Sequence, residues 1–285
     1  MKKICFLSIA LLAATFVFSQ NAAVKPVSTG KILLKEGQKI IAVNTSTAEA
    51  DMGMGMQLTS NSSTENTLEV KTSADKNYTI TSTLTKMKLD FNMAGQATSY
   101  DSEKNPNPTS DMEKSLAEKL NKPVDIILDN TTGTTSLKEK KQKTDEENDN
   151  PMAGLINSFG ESSDDAVVAG AFELVPAGKK VGDSWTDSTK EKDMTTVRTY
   201  TLKSITGNDA LIQLDAVITA SNKLDFQGME FEFKSTTKSA SEIITDIATG
   251  QVRSKNTKSD ITGSIQVMGQ DMPVTAKVTS SSTYK

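Results

Sequence analysis

Hydrophobic and polar residues alternate with a period of two along much of this chain. In one segment Tyr78 and Ile80 alternate with Thr79 and Thr81. Similar segments run through the second half of the chain, with apolar residues at Ile212, Leu214, Ala216 and Ile218, and at Met229, Phe231 and Phe233. Successive side chains of a strand point to opposite faces, so this pattern predicts antiparallel strands with one buried face. Several strands of about ten residues or more favour a strongly coiled sheet or an open barrel.

A few short helices are predicted between the strands. Ser110 and Glu113 have the spacing of a capping box, in which each side chain bonds the other residue's backbone N–H. Apolar residues follow on one helical face, and Pro123 ends the helix, because the residue before a proline avoids the helical conformation. This places a helix near residues 111–121. Two further helices are predicted, one beginning at Asn150-Pro151 and a shorter one from Asp164 to Ala171.

Three short segments recur in the same order in the two halves of the chain. The pairs are Lys35-Glu36-Gly37-Gln38 with Lys180-Val181-Gly182-Asp183, Lys88-Leu89-Asp90-Phe91 with Lys223-Leu224-Asp225-Phe226, and Asp129-Asn130-Thr131-Thr132-Gly133 with Asp246-Ile247-Ala248-Thr249-Gly250. Preserved order favours a duplication over chance matches between Thr-rich strands.

The predicted fold is therefore mainly β, with two similar antiparallel halves that form a strongly curved sheet or an open barrel. The halves are expected at residues 20–137 and 172–285. Residues 138–171 form a charged linker with short helices, because the run of Lys and Glu from Lys138 onwards cannot bury apolar area.

Residues 1–19 have the three parts of a secretory signal. Lys2 and Lys3 precede an apolar segment of roughly 15 residues, which is shorter than the about 20 that a membrane-spanning helix needs. The small residues Val17 and Ser19 occupy the −3 and −1 positions of a cleavage site before Gln20. The sequence thus predicts export to the periplasm or beyond, and no transmembrane segment after signal removal.

Composition excludes several kinds of chemistry. The chain has no histidine, and its one cysteine, Cys5, lies inside the signal. Histidine triads, cysteine nucleophiles and His/Cys zinc sites are therefore absent, and no cofactor motif is present. The formal net charge is −4, which becomes −6 without Lys2 and Lys3, so clustered phosphate contacts to nucleic acid are not expected. Asp90 and Asp225 alternate with apolar neighbours and should face solvent. A non-catalytic protein is predicted.

The methionines allow two interpretations. Met52, Met54 and Met56 alternate with glycines, and an extended strand would present three thioethers on one face to Cu(I). Methionine also fills irregular cores and lines apolar grooves. A Met-based copper protein is therefore kept as an alternative.

The favoured function is the binding of a hydrophobic or lipid-like small molecule in a concave β face. The residues predicted to line this face are Met54, Met56, Leu89, Phe91, Met93, Phe226, Met229, Phe231 and Phe233. A closed core without a cavity is the other interpretation, and it implies a purely structural, envelope-associated role. Ligand identity, protein partners and oligomeric state are not predicted.

Several short motifs together resemble a family of uncharacterised secreted proteins from Gram-negative bacteria. They are the Gly37-Gln38 start, the Tyr100-Asp101-Ser102 strand end, the Asp-x-x-x-Gly turn, the Gly182-Asp183-Ser184-Trp185 restart and the closing hairpin rich in Met, Gly and Gln. The resemblance implies a domain of unknown function with two similar β-rich halves. It implies no activity and no catalytic residues.

Overall fold

A computed structural model describes residues 28–53, 55–105, 107–139, 163–191, 193–226, 229–267 and 270–285. The predicted signal and the helix predicted from Asn150-Pro151 lie outside these residues. Within them the chain forms twelve β-strands and two short α-helices, so the predicted mainly antiparallel β fold is confirmed. Neither described helix combines the length and apolarity that crossing a membrane requires.

The strands vary in length from three to eighteen residues. Those before the charged linker are β1 (Lys39–Asp51), β2 (Gln57–Ser73), β3 (Asn77–Met93), β4 (Gln96–Asp101), β5 (Pro123–Asp129) and β6 (Thr135–Leu137). Those after it are β7 (Ser184–Glu191), β8 (Met194–Thr206), β9 (Asp209–Phe226), β10 (Met229–Asp246), β11 (Val252–Val267) and β12 (Gln270–Tyr284). The helices are α1 (Asp111–Ala117) and α2 (Asp164–Gly170).

All described strands belong to one antiparallel sheet in the order β6-β5-β3-β2-β1-β12-β11-β10-β9-β8-β7, and β4 also pairs with β3. The first and last strands pair in its middle, where Ala42 lies opposite Tyr284 and Asp51 lies opposite Thr275. The strands of the two halves are thus joined edge to edge. Among the described residues β6 and β7 form the two ends of the sheet, which is not closed.

The capping box predicted for α1 is confirmed. The Oγ of Ser110 accepts a hydrogen bond from the N–H of Glu113 at 3.2 Å, and Glu113 Oε2 accepts one from the N–H of Ser110 at 3.1 Å. The helix ends at Ala117, earlier than the predicted residue 121. The N–H groups of Lys119 and Leu120 each bond a carbonyl three residues back, so the final turn tightens and the α-helix stops.

Buried side chains line one face of the sheet, which we call the inner face. On β3 the buried apolar residues are even-numbered up to Leu84 and odd-numbered from Met87. A β-bulge causes the change, because Asn66 and Glu65 of β2 pair with Leu84 and Lys86 and leave Thr85 as an extra residue. The Thr85 hydroxyl donates to the backbone carbonyl of Glu65 at 2.9 Å.

Two apolar clusters lie on the inner face. The lower cluster joins the lower ends of the strands, where Ile40, Ile80 and Ile212 are buried, to the segment that follows α2. The upper cluster contains Leu89 and Phe91, each 4% exposed. The Asp90 side chain between them is 49% exposed, as its alternation with these apolar neighbours predicts. The side chains of the second pair, Leu224 and Phe226, lie outside the described residues.

The segment before β1 holds the lower end of the sheet in a strong curl. The N–H of Ile32 donates to the carbonyl of Asn130 at 2.7 Å, and the N–H of Leu33 donates to that of Thr249 at 3.0 Å. These carbonyls belong to turns beside β5 and β11, five strands apart. Flat strands would separate them by roughly 24 Å, whereas adjacent N–H groups reach only about 10 Å. The sheet therefore curls around the fully buried Ile32 side chain.

The paired turns noted in the sequence have matching hydrogen bonds. In the first turn the Asp129 carboxylate accepts from two backbone N–H groups, and the carbonyl of Asp129 accepts from Gly133. Asp246 and Gly250 repeat this arrangement. The two glycines have φ angles of 72° and 74°, a left-handed conformation that favours glycine.

We expect Ile32→Ala to lower the free energy of unfolding by about 2–4 kcal/mol, because it leaves a cavity between two turns. The neighbouring residue provides the control: Leu33 is 46% exposed, and Leu33→Ala should change stability by less than about 0.5 kcal/mol. Urea denaturation followed by fluorescence of the single tryptophan measures both. Equal losses in the two variants would show that Ile32 does not clamp the sheet.

Candidate functional site

The inner face between and beside the two clusters is half-buried. Residues opposite each other in an antiparallel ladder have side chains on the same face. On β11 the inner positions run from Lys255 through Thr257 and Ser259 to Ile261, and all are half-buried. Their outward neighbours Lys258 and Asp260 are exposed. We call this half-buried stretch of the inner face the recess.

Apolar side chains line the upper part of the recess. We call this set the apolar strip: Ile218 of β9, Phe233 of β10, Ile261 and Ile265 of β11, and Met272 of β12. Phe233 pairs with Ile265, which pairs with Met272, and Thr237 stands between Ile218 and Ile261. Each member is half-buried, and Ile261 also packs against the upper cluster. The strip therefore offers apolar surface that water partly reaches.

Small hydroxyl residues form the floor of the recess. Ser239 and Ser259 have their hydroxyl oxygens 2.8 Å apart across β10 and β11, and Ser241 and Thr257 repeat this contact at 2.8 Å. The hydroxyls bond each other across the strands, which lowers the polarity that the floor presents to a ligand.

The predicted lining residues occupy different environments. Leu89 and Phe91 are buried in the upper cluster, which also contains Leu116 of α1, whereas Met93 and Phe233 are half-buried on the inner face. Met56 is 40% exposed. The structure thus places Phe233 on the apolar strip. Met54 and the side chains of Phe226, Met229 and Phe231 lie outside the described residues.

The methionine segment forms a turn. β1 ends at Asp51 and β2 begins at Gln57, and the N–H of Met52 donates to the carbonyl of Met56 at 2.9 Å. Gly53 and Gly55 both have positive φ. The described residues on either side of position 54 therefore connect two antiparallel strands, and Met52 packs against the upper cluster.

Charged groups gather where the recess meets the lower cluster. Asp187 of β7 accepts hydrogen bonds from Arg198 Nη1 and from the Tyr200 hydroxyl, both at 3.2 Å. The Tyr200 ring stacks on Trp185 with ring centroids 5.2 Å apart and planes within 4°. Burial is the main cause that raises the pKa of Tyr200. This group is closed, since its charges bond one another.

Glu173 and Lys255 face the same region. Glu173 follows α2, and its N–H donates to the carbonyl of Gly250 at 2.9 Å, while its own carbonyl accepts from Thr245 Oγ1 at 3.0 Å. Burial raises the pKa of Glu173 to about 7, although the charge of Lys255 opposes this shift. Burial also lowers the pKa of Lys255. Both residues nevertheless keep partial exposure, and we include them at the lower end of the recess.

Sequence reasoning missed these charged residues. β11 is polar over most of its length, so hydrophobic alternation does not show which of its faces is buried. Counting back in steps of two from Ile265 and Ile261 reaches Lys255, and this was the available signal. Glu173 lies outside the helices and strands, and no periodic pattern marks it.

A second depression lies on the outer face, beside β2, β3 and β4. Its volume is about 200 Å³, and its lining residues are Thr59, Asn61, Asp90, Phe91, Asn92, Ala97, Thr98 and Ser99. Ligand pockets usually measure about 300–1,000 Å³ and are mostly apolar. This depression is smaller than that range, so we take the recess as the candidate site.

The chain belongs to a family of unknown function, DUF6263, whose model matches residues 75–252. This confirms the predicted resemblance to an uncharacterised domain family. No curated protein matches the chain.

Solved structures give a likeness of fold. Lipovitellin, in a structure concerned with its lipid–protein interactions, is 12% identical with a TM-score of 0.51, and the match covers 89% of this chain and 25% of lipovitellin. An outer membrane channel from Pseudomonas putida F1 is 10% identical with a TM-score of 0.26, over 89% of this chain and 97% of the channel. The first match shows a shared β architecture. The TM-score of the second match is too low to show a shared fold.

We expect Glu173→Gln to stabilise the protein more at neutral than at acidic pH. The raised pKa means that folded protein binds this proton more tightly than the unfolded chain, so stability falls as pH rises from 4.5 to about 7. Lys255, Asp187 and Arg198 are the charged groups that act on this carboxyl. The variant should gain about 1–3 kcal/mol near pH 8 and little near pH 4.

Urea denaturation at the two pH values measures this difference. Glu242→Gln is the matched control, because Glu242 is exposed on the outer face of β10. A loss of stability in Glu173→Gln near pH 8 would show that the ionised carboxylate holds the fold together.

Proposed function

We propose that the protein is an exported, non-catalytic binding protein that holds a hydrophobic or lipid-like ligand in the recess. The observation that carries this proposal is the apolar strip, whose five in-register side chains keep partial exposure. Burying such surface against a ligand releases about 25 cal/mol per Å² of apolar area. The small hydroxyl residues below the strip leave room for that ligand.

Similarity of fold supports the same proposal. Lipovitellin shares the β architecture, and its structure concerns lipid–protein interactions. This chain spans about a quarter of lipovitellin, so the comparison suggests the class of ligand and not the function of the whole protein.

We also infer that the two halves arose by duplication. The matching Asp129 and Asp246 turns support this, as do the turns at Gly37 and Gly182, whose N–H groups donate to Val70 and Leu202, each at 2.8 Å. Both glycines precede the first strand of their half and have positive φ. A single ancestral half accounts for this correspondence.

Binding should be measured with N-phenyl-1-naphthylamine, whose fluorescence rises in apolar surroundings. We expect the wild-type protein to bind it and the double variant Ile218→Thr/Ile261→Thr to bind about tenfold more weakly, because two apolar contacts are replaced by hydroxyls.

The control Val217→Thr/Ile244→Thr changes two side chains exposed on the outer face and should bind like the wild type. Circular dichroism verifies that both variants fold. Failure of the wild type to bind any apolar probe would favour the purely structural role.

Export predicts a defined mature terminus. The protein recovered from the envelope or medium of its native cells should begin at Gln20, because the small residues at positions 17 and 19 suit signal peptidase. N-terminal sequencing tests this. Exported protein that retains Met1 would contradict the prediction, and so would cytoplasmic retention of the full chain.

A further inference from the structure

Glu173 and Lys255 differ from the other charged groups of the inner face because no neighbour neutralises them directly. Asp187 bonds both Arg198 and Tyr200. In the part of the chain that the structure describes, the side chains of Glu173 and Lys255 form no hydrogen bond and no ion pair, although each charge acts on the other. Two opposite charges therefore face the recess without a direct contact.

Such an arrangement is costly for folding alone. A charge removed from water destabilises a protein unless it is paired or hydrogen-bonded. Glu173 is nevertheless held over the sheet by two backbone hydrogen bonds, to Gly250 and from Thr245. Lys255 is fixed on the inner face by its register, opposite Ser282 of β12 and Ile243 of β10. The backbone therefore places both charges at one end of the recess.

Lys255 and two members of the apolar strip lie along the same strand, β11. Lys255 and Ile261 are six residues apart on β11, which corresponds to roughly 20 Å at about 3.4 Å per residue. Thr257 and Ser259 lie between them, and both hydroxyls are bonded across to β10. The recess is thus amphipathic, with a charged end, a floor of small side chains and an apolar end.

We propose that this recess binds a zwitterionic amphiphile, with the cationic group of the ligand at Glu173, its anionic group at Lys255 and its apolar chain along the strip. The proposal rests on the proposed function, which requires only an apolar ligand. It adds that the headgroup carries both charges, as an ammonium and a phosphate do. A free zwitterion without a chain shares this headgroup chemistry but gains nothing from the strip.

Three ligands that differ in one property each test the proposal on the full mature protein. They are lysophosphatidylethanolamine, the monoacylglycerol of the same chain length and phosphoethanolamine without a chain, each measured by displacement of N-phenyl-1-naphthylamine and by calorimetry. We expect the lysophospholipid to bind at least about tenfold more tightly than the neutral lipid, as one charge-assisted contact contributes. Phosphoethanolamine alone should bind far more weakly.

The variants Glu173→Gln and Lys255→Met should each lose this preference and keep the affinity for the monoacylglycerol. Glu242→Gln and Lys258→Met are the matched controls, because both residues are exposed on the outer face of the neighbouring strands β10 and β11. They should retain the wild-type preference. The double variant Glu173→Gln/Lys255→Met should melt at the wild-type temperature or above it, because it removes two charges that have no direct partner.

Each contrary result would contradict a specific part of the proposal. Equal binding of the charged and neutral lipids by the wild type, or a preference that survives in both variants, would overturn the headgroup site and leave the apolar ligand intact. A lower melting temperature in the double variant would show that the charges serve the fold. If phosphoethanolamine binds as tightly as the lysophospholipid, the acyl chain adds nothing to binding, and the proposal that the ligand is an amphiphile is wrong. If no lipid and no naphthylamine binds, the proposed function itself is wrong.

Discussion

The packing of Ile32 between two turns is the contact on which the shape of this protein depends. Its side chain approaches Gly133 of the β5–β6 turn and Gly250 of the β10–β11 turn, where ideal Cβ atoms would lie 3.8 and 3.4 Å from it. Five ladder steps separate these strands, so this contact exists only if the sheet curls. The hydrogen bonds between neighbouring strands leave curvature undetermined, because strands tolerate a wide range of twist. The buried Ile32 side chain and the backbone hydrogen bonds of Ile32 and Leu33 to the two turns together select a strongly curved sheet.

The same turn that receives Ile32 also positions the charged end of the recess. The N–H of Glu173 donates to the carbonyl of Gly250, and Leu174 would contact a Cβ at Gly250 at 2.9 Å. Gly250 has a φ of 74° and lies between two apolar side chains, so both conformation and space require glycine there. The curl of the sheet and the placement of Glu173 are therefore coupled through one residue. A change at Gly250 should disturb both together, whereas a change at Glu173 alone leaves the curl intact.

Sequence pattern predicted the strands well and the site poorly, for one physical reason. Alternation reports burial, so it found Leu89, Phe91 and Ile212, which pack in the clusters. The alternation also predicted buried residues before and after Thr85. It did not show that Thr85 is an extra residue, which shifts the pairing of β3 with β2. The long polar segment of β11 has no alternation to interpret, and Glu173 reaches the recess through the fold of the segment after α2. Contacts between residues far apart in the sequence bring these charges together, and no local sequence pattern predicts such contacts.

The inner face beside β3 is buried, whereas the inner face beside β9 keeps partial exposure. This difference between the two halves is relevant to the proposed ligand. Beside β3 the neighbouring position is shared by β4 and β5, and the connection between them contains α1, whose Leu116 belongs to the same buried cluster as Leu89 and Phe91. Beside β9 that position is filled by the single strand β10 along its full length, and the apolar strip keeps partial exposure. The exposure is therefore not imposed by the β architecture, since the same chain covers the comparable surface of its first half with a helix. An apolar chain lying on the strip would bury there what α1 buries in the first half.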